Sequence, residues 1–325
     1  MNTPEIFVES EFAPLRTVVL AQSEVAVSEK MFAGSDASFL PPDAAVKLVP
    51  GMNFAQSDPE GQKAWGEERD NFSAVLQKHG VEVLRPRKLT QAEKDATGAN
   101  GYSNFFVRDP FFTIGNAVIE GSLRFLHRRQ EVLPVRDIMR GRVYPATCVY
   151  VALPQPEVAA SDDATLGGGP FLEGGDILVL NKTIFVGNSG LASNTNGVAW
   201  LRKFLGPQGY TVEEVRLRPD ILHLDCALGL VRDGLMIVCE EALLDGIPAQ
   251  LKEWARVSVS LQDSAQLATN GIPISPSVYV TDPAFERIGR ELERHGIKVE
   301  YVDYKISRSF GGAFRCSTQP LLRRT

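Results

Sequence analysis

The stretch Ser309-Phe310-Gly311-Gly312-Ala313-Phe314-Arg315-Cys316-Ser317-Thr318-Gln319-Pro320 lies close to the C-terminus and governs how the rest of the chain is read. A glycine pair lets a backbone turn tightly and aim its amides at a bound group. A cysteine needed only for the core has little reason to sit in such a setting. Three upstream segments answer it: Phe106-Val107-Arg108-Asp109-Pro110, Leu172-Glu173-Gly174-Gly175-Asp176 and Leu222-His223-Leu224-Asp225. Together they supply a thiol, an imidazole and several carboxylates. A cysteine enzyme acting on a guanidinium needs this set. The guanidinium carbon is a poor electrophile, so attack takes a thiolate and an acid to protonate the departing amine. Carboxylates match the planar N–H fork and hold it in place.

Each candidate has a plainer alternative. Asp109 and Asp225 are the candidate clamp for a guanidinium; each alone would also serve as a strand-end or turn acid. His223 stands two residues before Asp225, so in an extended strand both point to one face. Its alternative is a hydrogen-bonded core histidine. Glu173, ahead of a glycine pair, is placed to orient His223 and raise its pKa. Asp176 reads as a structural turn acid and is the second choice, after Glu173, for that orienting carboxylate. His79 and His295 each precede a glycine at an expected helix end, where a capping role fits. His127 lies in a basic stretch and reads as solvated. Cys148, Cys226 and Cys239 read as buried core thiols.

Composition narrows the field. The chain has 325 residues, 44% hydrophobic and 23% charged, with a net charge of −6. This is ordinary globular composition, and no low-complexity linker divides it, so 1–325 is expected to be a single domain. No Lys/Arg run forms a nucleic-acid footprint. No apolar run approaches the roughly 18 residues of a membrane span. The four scattered cysteines carry no CxxC pair, which points to free thiols in a cytoplasmic setting and away from structural zinc. The expected partner is a small guanidino molecule, without nucleic acid or membrane. A homodimer is expected on base rates alone.

Short apolar strands alternate with amphipathic helices. Strands are expected at Arg16–Ala21, Val81–Leu84, Cys148–Leu153, Val278–Val280 and Val299–Tyr304, with an extended stretch over Phe111–Ile119. Hairpins are expected around Asn181-Lys182 and Asp233-Gly234. Helices are expected over Ala64–His79, Arg129–Arg140, Asn196–Leu205 and Pro283–His295. A strand–strand–helix–strand unit thus recurs about five times at a spacing of roughly 50–65 residues, without visible identity between copies. The candidate residues fall beside the hairpin strands. Residues 33–63, rich in Gly, Ser, Pro and Asp, read as a long loop; a lid over the site and a surface excursion or subunit contact are both open.

The four segments, taken in order, resemble the guanidine-modifying (pentein) superfamily, which includes arginine deiminases, dimethylarginine dimethylaminohydrolases, agmatine deiminases and amidinotransferases. The resemblance runs from Ser10-Glu11-Phe12-Ala13-Pro14-Leu15-Arg16 to the last residues. It implies an α/β fold, a five-bladed propeller of ββαβ modules, with a central site and neither metal nor organic cofactor. It implies Cys316 as the nucleophile of a covalent amidino intermediate, and His223 as general acid and then base. Glu173 would support the histidine, and Asp109 and Asp225 would hold guanidinium nitrogens. Arg128 falls where deiminases carry an arginine for the substrate α-carboxylate, and Arg315 also matches some of them. The second such arginine, expected near Leu191, is absent. Other stretches resemble amidinotransferases: Gly115-Asn116-Ala117-Val118-Ile119-Glu120, Gly197-Val198-Ala199-Trp200-Leu201-Arg202 and the Phe-Gly-Gly-Ala-Phe-Arg-Cys ending; those enzymes usually carry an aspartate in place of Glu173. The sequence reading is a hydrolase of an arginine-like guanidine. Its alternatives are an amidinotransferase and a non-catalytic guanidine-binding protein.

Overall fold

The structure, a computed structural model, describes residues 5–28, 48–125, 128–155 and 168–325. Most of its strands fall into five sheets that repeat one plan. Two strands pair antiparallel, the chain leaves through a helical or irregular segment, and a third strand returns parallel to the second. Phe111–Ile114, Ala117–Glu120 and Val149–Ala152 form one such sheet. Ile177–Leu180, Thr183–Asn188 and Thr211–Arg216 form the next. Leu228–Arg232, Leu235–Val238 and Ala255–Ser258 follow, and then Ile272–Ser275, Val278–Thr281 and Lys298–Tyr301. The remaining sheet joins both ends of the chain. Thr318–Arg323 pairs antiparallel with Leu15–Leu20, and Glu82–Leu84 runs parallel to Leu15–Leu20.

The hairpin strands are buried at most positions, as strands covered on both faces are. Leu235-Met236-Ile237-Val238 is buried at every position. The third strands are more exposed; in Ala255–Ser258 only Val257 is buried. A continuous apolar cluster ties four of the five sheets together, running from Val18 and Phe72 through Phe185 and Ile237 to Val280 and Leu292; the sheet of Phe111–Ile114 and Ala117–Glu120 packs into two further clusters.

Several elements depart from expectation for identifiable reasons. The long helix starts at Pro59, not Ala64. Asp58 caps it by accepting the Gly61 amide, and proline occupies the first turn, a pairing suited to a helix start. The stretch expected as a loop over 33–63 therefore ends in helix, with a short further turn at Phe54–Ser57. Its portion 33–47 lies outside the described residues, as does His127. The helix expected over Arg129–Arg140 is broken into short pieces at Leu133–Val135, Arg136–Ile138 and Met139–Val143, because Pro134 interrupts its start. Strands Ile272–Ser275 and Thr318–Arg323 were not expected. Each contains a proline, and each ladder shifts register just beyond it, after Pro273 and after Pro320, where a missing N–H is tolerated. Among the described residues, no helix is long and apolar enough to cross a membrane.

The repeat decides where chemistry can gather. Asp109, Asp176, Asp225, Asn270 and Cys316 all stand in the turn just before the first strand of a hairpin, one in each of the five sheets. Equivalent turns in repeated units thus supply side chains to one place from positions up to about 200 residues apart.

Because the C-terminal strand completes a sheet begun near the N-terminus, its packing bears on the whole fold. Leu321 is fully buried against a cluster that includes Val19, Phe111 and Val118. Leu321→Ala is expected to destabilise the protein by about 2–5 kcal/mol, read as a fall in the denaturant midpoint at unchanged slope.

Candidate active site

Cys316 is held by backbone contacts from both sides. Its amide donates to Asn270 Oδ1 at 3.2 Å, as does the Ala313 amide at 3.1 Å. Its carbonyl accepts the amides of Val107 and Arg108. The segment bearing Asp109 is thereby fastened directly to the one bearing the thiol. The thiol lies 3.7 Å from Asp225 Oδ2. Burial pushes its pKa well above the ordinary value, and the negative charges of Asp225 and Asp109 push it further. With no cation bound the sulfur is therefore protonated at neutral pH.

His223 lies in the same cavity wall, fully buried against Glu173; its Nε2–H donates to Glu173 Oε2 at 3.0 Å. Burial opposes charge on the ring, yet Asp109 and the Glu173 hydrogen bond outweigh it, and the pKa rises from 6.5 to about 10. The ring is an imidazolium at neutral pH and can donate a proton. This charge stabilises the fold fully below about pH 6.5, and the contribution is lost as pH rises through about 10. The expectation of His223 and Asp225 on one strand face is corrected. His223 precedes and Asp225 lies within a tight turn at Leu224–Cys226, pinned by Asp176, whose Oδ1 accepts the Leu224 amide at 2.9 Å. Both still reach the thiol's surroundings, because the turn gathers side chains that a strand would have spread.

Gly175 allows this packing. A Cβ there would stand 2.6 Å from His223 Nδ1 and 2.8 Å from Asp109 Oδ1. The Gly175 amide also donates to Asp109 Oδ1 at 2.7 Å. Asp109 is held at a pKa of about 2: burial would raise it, but His223 and Arg128 outweigh that.

The two arginines stand differently from the sequence expectation. Arg128 does not reach for a ligand carboxylate. It donates to Asp109 Oδ2 at 2.7 Å, to Glu173 Oε2 at 3.1 Å and to both oxygens of Glu131 at 2.9 Å. Buried carboxylates at this density require a buried cation, and Arg128 is it. Arg315 lies behind the thiol, donating to Asp225 Oδ2 at 2.9 Å and Glu11 Oε2 at 3.1 Å. Asp109 and Arg128 line the cavity together with His223 and Cys316, whereas Glu173, Asp225 and Arg315 are buried beneath that floor.

Sequence reasoning missed Glu131, Glu11 and Asn270 as members of the cluster. Glu131 sits three residues from Arg128, a spacing suited to an ion pair. Burial lifts its pKa to about 7 despite Arg128. Asn270 stands at the repeated turn position, so the register of the repeat could have found it. Asp109, Glu173 and His223 offer ligand atoms within 4.8 Å of one another. A metal there would compete with the Arg128 guanidinium, which already bonds both carboxylates.

The chain's likeness to known proteins agrees with this geometry. It is 26% identical over 345 aligned positions to a putative inosamine-phosphate amidinotransferase of Streptomyces griseus, covering 97% of this chain and 96% of the relative. It is 22% identical to an L-arginine:L-lysine amidinotransferase of Pseudomonas savastanoi, over 79% of this chain and 78% of the relative. Among solved structures, an inosamine-phosphate amidinotransferase of Streptomyces griseus superimposes with a TM-score of 0.82 at 20% identity, covering 99% of this chain and 98% of that one. A dimethylarginine dimethylaminohydrolase of Pseudomonas aeruginosa superimposes with a TM-score of 0.64 at 16% identity, over 94% and 99% of the two chains. No protein-family model matches the chain.

Replacing Glu173 by Gln keeps its shape and removes one of the charges that hold the imidazolium. The His223 pKa, followed by the ring-proton NMR shift, is expected to fall from about 10 toward neutrality. A value unchanged in Glu173→Gln would assign the shift to Asp109 and Asp176.

Proposed function

The chain belongs to the guanidine-modifying (pentein) superfamily, and we propose that it is a cysteine-dependent amidinotransferase. The observation that carries this reading is the cavity floor, where thiol, imidazolium and carboxylate meet, in a chain alignable over nearly its whole length with a putative amidinotransferase. It replaces hydrolysis as the first choice. Glu173, where similar amidinotransferases usually carry aspartate, is the feature that keeps hydrolysis as the second reading. In the same proposal the five sheets are the blades of a propeller in a single domain of residues 1–325, with the site at its axis. The free thiols at Cys148, Cys226, Cys239 and Cys316 fit a reducing compartment such as the cytoplasm.

The chemistry follows from the charges. An incoming guanidinium meets Asp109 on the cavity face. Once its carbon reaches the sulfur, its N–H groups come within range of Asp225, which stands 3.7 Å from Sγ. The cation offsets the two carboxylates that hold the thiol pKa up, so binding favours loss of the thiol proton. The Cys316 thiolate adds to the guanidinium carbon. The C–N bond to the leaving amine breaks as the His223 imidazolium protonates that nitrogen, and an amidino group remains on sulfur. His223, now neutral, takes a proton from an incoming amine, which attacks the amidino carbon and expels the thiolate. Water in place of the amine would give the hydrolase. Arg128 and Glu131 act as positioning residues, fixing Asp109 and Glu173 beneath the reacting carbon. Arg315 fixes Asp225 in the same way.

Mass spectrometry of the intact protein tests the reading. Incubation with a guanidine donor is expected to leave an amidino adduct on Cys316 that persists until a primary amine is added and then leaves as a new guanidine. A ureido product formed in water alone would make the enzyme a hydrolase. Cys316→Ala is expected to abolish the adduct; turnover in that variant would end the cysteine mechanism. Proton coupling gives an independent check. Calorimetric titration of a guanidine into the protein, repeated in buffers of different ionisation enthalpy, is expected to show net proton release near neutral pH. Zero release would mean that the thiol does not ionise on binding.

A further inference from the structure

A cavity that opens to solvent lies over Cys316. Its floor is charged and its walls are largely apolar. Above Asp109, Arg128, His223 and Cys316 the walls are built from Val25, Val27, Leu48, Phe105, Phe125 and Phe310, among others. This apolar wall is firmly backed. Phe310 stacks on the fully buried Trp65 at 4.3 Å between ring centroids, and Phe105 meets the same ring edge-on at 5.5 Å. The Trp65 Nε1–H donates in turn to Ser307 Oγ at 3.1 Å. Phe105 and Phe310 are thus backed by an aromatic cluster whose central ring is itself fixed by a hydrogen bond.

The guanidinium end of a ligand is provided for by carboxylates; the opposite end faces this wall. The tail of an amino-acid guanidine carries a carboxylate and an ammonium, and each needs a partner when taken out of water. Among the described residues lining the cavity, the cations are Arg128, whose donors already serve Asp109, Glu131 and Glu173, and the His223 imidazolium, which donates to Glu173. The lining carboxylate is Asp109, which belongs to the guanidinium end. Ser28, Tyr102 and Ser103 offer hydroxyls but no charge.

We infer that this cavity selects guanidines whose tail is uncharged and apolar, an alkyl- or arylalkyl-guanidine, over guanidines that end in an amino acid. The inference rests on the guanidine-modifying reading and deepens it. In amidino transfer the same class covers both directions. The molecule enters as the guanidine to be cleaved, or leaves as the guanidine made from a primary amine on an apolar skeleton. In the first direction the Cys316 thiolate forms the S–C bond, the C–N bond to the apolar amine breaks, and the His223 proton goes to that amine. The second is the reverse of these steps.

Binding to Cys316→Ser, measured by calorimetry, tests the tail apart from the chemistry. The probes are propyl-, butyl-, pentyl- and hexylguanidine, 2-phenylethylguanidine, arginine and agmatine. Affinity is expected to rise roughly fourfold per added methylene, with hexylguanidine at least tenfold tighter than arginine. Leu48→Arg, at a half-buried wall position outside the reacting cluster, is expected to reverse the order in favour of arginine. Arginine or agmatine binding wild-type walls more tightly than hexylguanidine would overturn the inference, as would a flat alkyl series or no binding by any alkylguanidine. Adduct formation on wild-type Cys316 is followed in parallel. An adduct with arginine but none with hexylguanidine would overturn the substrate class and leave the enzymatic reading standing. Tight alkylguanidine binding with no adduct from any guanidine would support the class and remove the cysteine mechanism.

Discussion

Burying an imidazolium beside a thiol requires compensating charge, and most of the site is arranged around that requirement. His223 is charged because Asp109 and Glu173 stand against it. Those two carboxylates, with Glu131, would repel one another without Arg128 between them. A second group repeats the logic behind the thiol, where Arg315 joins Asp225 to Glu11. Charges taken out of water are costly unless each is met by partners of good geometry. Both networks meet that condition with side chains drawn from segments far apart in sequence, so the charged site and the closed fold depend on each other.

The repeated sheet plan makes such a meeting feasible. In each of the five sheets, the turn before the hairpin delivers a side chain to the same region. These turns are tight, and two of them are short helical turns at Gly174–Asp176 and Leu224–Cys226. A strand would alternate its side chains between faces, whereas a turn can direct neighbours inward together. Backbone groups left over at the turns are taken up by side chains of the cluster itself. Asp109 accepts the Gly175 amide, Asp176 accepts those of Ser193 and Leu224, and Asn270 accepts those of Ala313 and Cys316. The same side chains thus carry charge, fix backbone and shape the cavity floor.

Much of this was legible in the chain. The hairpins around Asn181-Lys182 and Asp233-Gly234 could be read because apolar runs flank turn residues, and Asn181 indeed adopts a positive φ of 52°. The strands Ile272–Ser275 and Thr318–Arg323 could not, since a proline in each disguises it and their pairing depends on partners elsewhere in the fold. The start of the long helix was misjudged because the loop-like composition ahead of it hid the Asp58-Pro59 cap. Cys316, His223, Glu173, Asp109 and Asp225 were recognisable by residue type and order, and the fold does bring them together.

What the sequence determined by itself was an inventory and a rhythm: which reactive groups the chain owns, their order, and an alternation of buried strands and helices. These depend on local periodicity and on neighbours a few residues away. What only the tertiary structure decided was the use of each charge. Arg128, expected to meet a ligand, is enclosed by three carboxylates; Arg315 is turned away behind the thiol; Glu11, Glu131 and Asn270 enter the cluster unannounced. The apolar wall over the thiol likewise comes from residues as distant as Val25, Phe125 and Phe310. Desolvation and Coulomb interaction act through space, so a side chain's protonation and partners are fixed by whatever the fold carries beside it.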